Sequence, residues 1–94
     1  MRVVVSESAS ELIRARGGSL YVWLKRAQCC GSATTLATAS EPPAQKTFRQ
    51  VDSGGPFELY LPAGLTRLPD ELQLDVGRRG RRVDAYWDGS AWVV

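Results

Sequence analysis

Apolar segments of strand length, each ended within a few residues by glycine or proline, run through most of this 94-residue chain and leave room for one short helix. Residues 2–5 (Arg-Val-Val-Val) are β-branched and read as a first strand. Leu20, Val22 and Leu24 then alternate with Tyr21 and Trp23, which gives a strand apolar on both faces until Lys25 and Arg26. That end of the sheet needs cover on two sides, and a barrel wall, a helix on the back or a dimer contact would each supply it. Further strand-like segments fall at residues 33–40, 46–51, 57–61, 71–76, 81–87 and 90–94. Glu41-Pro42-Pro43, Ser53-Gly54-Gly55-Pro56 and Pro62-Ala63-Gly64 between them are turn chemistry rather than linkers.

The helix is expected over residues 7–16. Ser8 and Glu11 have the Ser-x-x-Glu spacing of a capping box, and Ala9, Leu12 and Ile13 form a narrow apolar stripe. Glu7 and Glu11 lie early, Arg14 and Arg16 late, as the helix dipole favours, and Gly17-Gly18 stops the helix. At the other end Asp88-Gly89 is a two-residue hairpin signal that would set Trp87 opposite Ser90, Ala85 opposite Trp92 and Val83 opposite Val94. Val83, Ala85, Trp87, Trp92 and Val94 would then share one core face.

A content of 44% hydrophobic residues, including three tryptophans, suffices for one compact core over residues 1–94. Twelve basic against ten acidic side chains leave a net charge of +2, too balanced for a whole-molecule field toward nucleic acid or a membrane. The apolar run at the start is too short for a signal peptide or a membrane span, so a cytoplasmic protein is expected.

The only two cysteines, Cys29 and Cys30, are adjacent and precede Gly31. Neighbouring cysteines close no useful loop as a disulfide. On a regular strand they would face opposite ways, but a turn at Gly31 lets both sulfurs approach one ion or one partner. Lys25 and Arg26 lie just upstream, and Arg26 in particular would favour thiolate, the nucleophilic and metal-binding form. Two thiolates do not complete the four ligands of zinc or of an iron-sulfur cluster, and the chain has no histidine. A symmetric homodimer bringing two pairs together would complete the set. The plainer reading is that the pair fills a gap in packing near a strand end.

A second candidate site is Gly77-Arg78-Arg79-Gly80-Arg81-Arg82, the densest charge in the chain. The Arg78, Arg79, Arg81 and Arg82 guanidinium forks suit phosphate oxygens, and Tyr86 nearby would suit a nucleic acid. A solvated hairpin turn between residues 74–76 and 83–85, with Gly80 at the bend, is the favoured reading, so a nucleic-acid partner is not expected. Without histidine there is no Ser-His or Cys-His pair, and the runs at 32–35 and 53–55 lack the lysine of a phosphate loop. Hydrolase and kinase chemistry therefore rank low, and an enzyme is not the favoured reading.

The order strand, helix, strand, cysteine loop resembles the HesB/IscA-type iron-sulfur biogenesis family. The matching stretches are Val3-Val4-Val5-Ser6-Glu7-Ser8-Ala9, Leu24-Lys25-Arg26-Ala27-Gln28-Cys29-Cys30-Gly31, and the Gly-Leu-x-x-Leu-Pro segment at 64–69. More narrowly the chain is similar to the small HesB-like proteins marked by a Cys-Cys motif, some of which carry selenocysteine there. The resemblance implies an α+β fold, mostly β, a HesB-like curved sheet or sandwich with one short N-terminal helix. It also implies a thiol protein that handles iron, an iron-sulfur cluster or a redox equivalent through Cys29 and Cys30, with an iron-sulfur or redox partner protein. Cluster-carrying members have a further Cys-Gly-Cys near the C terminus, where this chain reads Ala91-Trp92-Val93-Val94, so binding no cofactor at all stays open. The alternative function is a non-catalytic interaction module, using the arginine hairpin toward nucleic acid or the apolar face at Tyr21 and Trp23 toward a protein.

Overall fold

The computed structural model describes residues 2–26, 34–65, 68–77, 80, 82–88 and 92–93. In chain order the elements are β1 (Arg2–Val5), α1 (Glu7–Ala15), β2 (Ser19–Arg26), β3 (Thr34–Ala39), β4 (Phe48–Val51), β5 (Glu58–Pro62), β6 (Glu71–Val76), β7 (Val83–Trp87) and β8 (Trp92–Val93). The fold is thus mostly β with one short helix, as expected from the sequence.

The strands form two mixed sheets. One has the order β1-β6-β7, with β1 parallel to β6 (Val3 opposite Leu72) and β6 antiparallel to β7 (Leu74 opposite Ala85). The other has the order β4-β5-β2-β3-β8, with only the β2–β5 pair parallel. Alternate residues of each sheet meet in one hydrophobic core: Leu20, Val22, Leu59 and Leu61 from the larger, Leu72, Leu74, Val83 and Ala85 from the smaller. Helix α1 adds Ala9 and Ile13, and Trp87 is buried as well. Each fully buried leucine or isoleucine side chain stabilises the fold by about 1.5–3 kcal/mol through removal of apolar surface from water.

Helix α1 ends one residue earlier than its sequence pattern suggests, and its cap differs. Ser6, extended at ψ 154°, is the N-cap, and its hydroxyl accepts the Ala9 N–H at 3.1 Å. Ser8 and Glu11, the expected capping box, are instead exposed positions within the helix. The cause is the strand before it: the Ser6 N–H is tied to the Leu74 carbonyl at 3.1 Å, so the chain leaves the sheet at Ser6 and the helix starts there. Gly17 and Gly18, at φ 116° and 83°, end it as expected.

The Asp88-Gly89 hairpin does not form with the expected register. β8 joins β3 of the other sheet, with Trp92 opposite Thr35 and Val93 opposite Thr34. Asp88 adopts a left-handed φ of 50°, as a turn residue would, but its polar groups serve β6. Its N–H donates to the Glu71 carbonyl and its carboxylate accepts the Glu71 N–H, both at 2.9 Å. Asp88 therefore closes the β6–β7 ladder. Val83, Ala85 and Trp87 still form the expected core row; Ser90 and Val94 lie outside the described residues, and Trp92 belongs to the other sheet.

Candidate functional site

Cys29, Cys30 and Gly31 lie outside the described residues, and what the structure supplies is their frame. β2 and β3 are antiparallel neighbours from Tyr21 opposite Ala39 to Arg26 opposite Thr34, so the last described residue before the cysteine pair and the first after it sit side by side. β8 lies along β3 at Thr34 and Thr35. Trp92 and Val93 thereby lie beside the start of β3, the first described residues after the cysteine pair in sequence. Arg26 occupies the last position of β2.

The arginine-rich turn matches its sequence reading at every described position. Val76 pairs with Val83, the Gly77 N–H donates to the Arg82 carbonyl at 2.9 Å, and the Gly80 N–H donates to the Gly77 carbonyl at 2.8 Å. Gly80 bends at φ 65°. A Cβ at Gly77 would come within 2.9 Å of an Asp84 carboxylate oxygen, so a larger residue there would displace that carboxylate. Arg82 is 79% exposed and its Nε donates to that carboxylate at 3.3 Å, a contact worth at most about 1 kcal/mol at the surface. Arg78, Arg79 and Arg81 lie outside the described residues.

The outward side of the larger sheet carries an aromatic group that sequence reading saw only in part. Tyr21 and Trp23 project from β2 and meet Phe48 of β4 and Tyr60 of β5. Tyr21 stacks on Tyr60 with ring centres 4.6 Å apart, and Phe48 packs edge-on to Tyr21 at 5.2 Å and to Trp23 at 6.2 Å. Own-sheet aromatics therefore provide part of the second cover that β2 needs. The available signal was Tyr60 between Leu59 and Leu61, the outward position of an alternating strand, but which strand neighbours β2 was not legible. The Tyr60 hydroxyl donates to Glu58 at 2.8 Å, and this bond, with the negative charge behind it, raises the phenol above its ordinary value of 10.0.

Among the described residues no three His, Cys, Asp or Glu side chains come together as metal ligands. No described helix is long and apolar enough to cross a membrane.

Comparison with the curated proteins gives no match. Among solved structures, the fold is similar to that of Escherichia coli SufA, a protein involved in biosynthesis of iron-sulfur clusters. The two share a TM-score of 0.53 at 16% identity, covering 99% of this chain and 93% of SufA, a likeness of fold. A sequence-family match spans residues 1–86, from β1 through all but the last residue of β7, and takes in Cys29 and Cys30. By that match the chain belongs to the CC/Se motif containing family.

Proposed function

We propose that the protein is a cytoplasmic thiol protein, a single domain over residues 1–94, that handles iron, an iron-sulfur cluster or a redox equivalent through Cys29 and Cys30. The observation that carries this reading is family membership through a match containing the cysteine pair, in a chain with no other thiol and no histidine. The SufA-like fold supports it, since SufA serves iron-sulfur cluster biosynthesis. One chain offers two sulfur ligands, half of what a tetrahedral metal or a cluster takes, so a metal or cluster cargo is shared between the two chains of a homodimer. Gly31 supplies the turn that lets both sulfurs face the same way, and Arg26 favours the thiolate form. An iron-sulfur or redox protein is the partner that delivers or receives the cargo.

A second reading, a non-catalytic interaction module, is favoured by the aromatic group at Tyr21, Trp23, Phe48 and Tyr60, each of which remains half-buried on the outer face. The stacked Tyr21 and Tyr60 rings each use a face on the other, which suits a protein contact better than base stacking.

Anaerobic purification followed by assay of iron, zinc, sulfide and visible absorbance, on wild type and on Cys29→Ser/Cys30→Ser, tests the first reading. It expects about one ion or cluster per two chains, or a thiol couple that exchanges with a redox partner, lost in the double variant. Metal-free protein whose thiols exchange with nothing, and whose cellular role survives the double substitution, overturns it. Neutralising Arg78, Arg79, Arg81 and Arg82 together then separates a nucleic-acid contact from a protein contact at the aromatic face.

A further inference from the structure

Four strands end the two sheets, and they are not equally open. β7 lies against β3, bridged by the Thr38 hydroxyl donating to the Val83 carbonyl, and β8 spans two residues. β4 carries the exposed Arg49 opposite the buried Leu61, on the core-facing side, where a charge guards an edge against pairing. β1 has no such guard: its core-facing residues are Val3 and Val5, opposite Leu72 and Leu74. The bonds from the Arg2 N–H to the Asp70 carbonyl at 2.9 Å and from the Ser6 N–H to the Leu74 carbonyl at 3.1 Å fix the alternation. Arg2 and Val4 turn their backbone groups toward β6, and Val3 and Val5 turn theirs to the open edge. Among the described residues no hydrogen bond reaches those outward groups. The Val4 side chain, half-buried, lies on the outer face of the sheet in the row of Gln73 and Tyr86. Arg2 and Glu7, at the two ends of this edge, are exposed, and neither has an ion-pair partner among the described residues.

We propose that β1 pairs antiparallel with β1 of a second copy of this chain, joining the two smaller sheets into one continuous sheet across a twofold axis at Val4. The edge is self-complementary in this register. The Val3 N–H donates to the partner's Val5 carbonyl, the Val3 carbonyl accepts the partner's Val5 N–H, and the twofold axis repeats both bonds. Every outward backbone group of Val3 and Val5 is then satisfied, whereas a shift by two residues sets one of these valines opposite a residue outside β1. Val4 meets the partner's Val4 across the axis with Cβ atoms about 4.5–5.5 Å apart, which takes both side chains out of water. Charge selects the same arrangement. Arg2 comes opposite the partner's Ser6 and beside the partner's Glu7, and Glu7 comes beside the partner's Arg2. A parallel pair would instead set Arg2 against Arg2 and Glu7 against Glu7. This contact needs no metal and neither cysteine, so its failure would leave the proposed thiol function standing.

The test uses the full chain from about 10 µM to about 1 mM, followed by sedimentation and amide hydrogen exchange. Dimers are expected at the upper end, with the same dissociation constant in Cys29→Ser/Cys30→Ser. In the monomer the Val3 and Val5 amides should exchange quickly and the Val4 amide, bonded to β6, slowly; dimerisation should protect Val3 and Val5. Val4→Lys, which sets two like charges face to face, should weaken the dimer at least about tenfold. Arg2→Glu and Glu7→Arg should each weaken it at least about fivefold alone. An equimolar mixture of those two variants should recover the wild-type affinity, because an acidic edge then meets a basic one. Val3 and Val5 amides as protected as Val4 in the monomer overturn the proposal, as does a dimer that leaves them exchanging quickly or a mixture no tighter than its components. A dimer lost in the cysteine variant would belong to the thiol site, and a chain still monomeric at about 1 mM would leave the edge to a strand of another protein; either result overturns the proposal.

Discussion

The two ends of β7 carry equally plain turn signals in sequence, and only one of them makes a hairpin. At the start, Gly80 bends the chain and β6 and β7 pair in the register that the apolar alternation calls for. At the finish, Asp88 takes the positive φ of a turn residue, yet the next strand crosses to the other sheet and pairs with β3. The difference lies in what each turn residue is bonded to. The Gly80 turn is closed by bonds between the two strands it connects, whereas Asp88 spends its N–H and carboxylate on Glu71, one strand back. A turn signal states that the chain bends; the partner of the following strand is set by which edge is open.

The largest effect should come from the ladder both ends share. Leu74 is 1% exposed and lies opposite Ala85, so Leu74→Ala should cost about 2–5 kcal/mol in urea unfolding, and a loss under ~1 kcal/mol would mean that β6 and β7 are not packed as described. At the Asp88 end, Asp88→Ala removes an exposed carboxylate bond and puts alanine at φ 50°, with an expected loss of about 1–3 kcal/mol. Asp88→Asn, which keeps an acceptor and tolerates that φ, should recover most of it; if both variants unfold alike, the Glu71 bond does not hold this end. At the Gly80 end, Gly80→Ala meets only Val76 at 3.9 Å, so its cost is the backbone penalty of φ 65°, about 1–2 kcal/mol.

The pairing itself can be read directly by NMR. Cross-strand backbone contacts are expected from Thr34 and Thr35 to Val93 and Trp92, and contacts from Ala85 to Trp92 would restore the simple hairpin.

The smallest effect concerns Tyr60, on the sheet that receives β8. Its folded value is raised above the unfolded one because ionisation would break its bond to Glu58 and set two negative charges together. The resulting stabilisation is fully present below the unfolded tyrosine value and is lost as pH rises through the folded one. Ultraviolet titration should show one tyrosine ionising late, and Glu58→Gln should bring it down; an unchanged titration would mean that the Tyr60–Glu58 bond is absent in solution.

Much of the local structure is legible because it depends on neighbours in sequence. The alternation in β2, the helix with its double-glycine stop and the Gly80 turn each follow from residues within one or two turns of chain. The N-cap shows the limit: Ser6 and Ser8 are both good capping residues, and the choice fell to Ser6 through a bond to Leu74, far away in sequence. Phe48 and Tyr60 escaped notice for the same reason, since their meeting with Tyr21 depends on β5 lying parallel beside β2. Of the candidate site, sequence picks out the cysteine pair through residue inventory alone, and the mostly β fold with one short helix was legible both from the alternation and from the HesB/IscA-type resemblance.

By itself, then, the sequence determined a mostly β chain with one short helix, the turn positions, the core rows and the presence of a single thiol pair, all consequences of side-chain periodicity, backbone freedom and residue inventory. The tertiary structure decided which strands are neighbours, where β8 lies, which serine caps the helix, and which aromatic rings meet on the outer face of the larger sheet. Those outcomes depend on which strand edges remain open once the two sheets pack on a common core, and no local stretch of sequence encodes that competition.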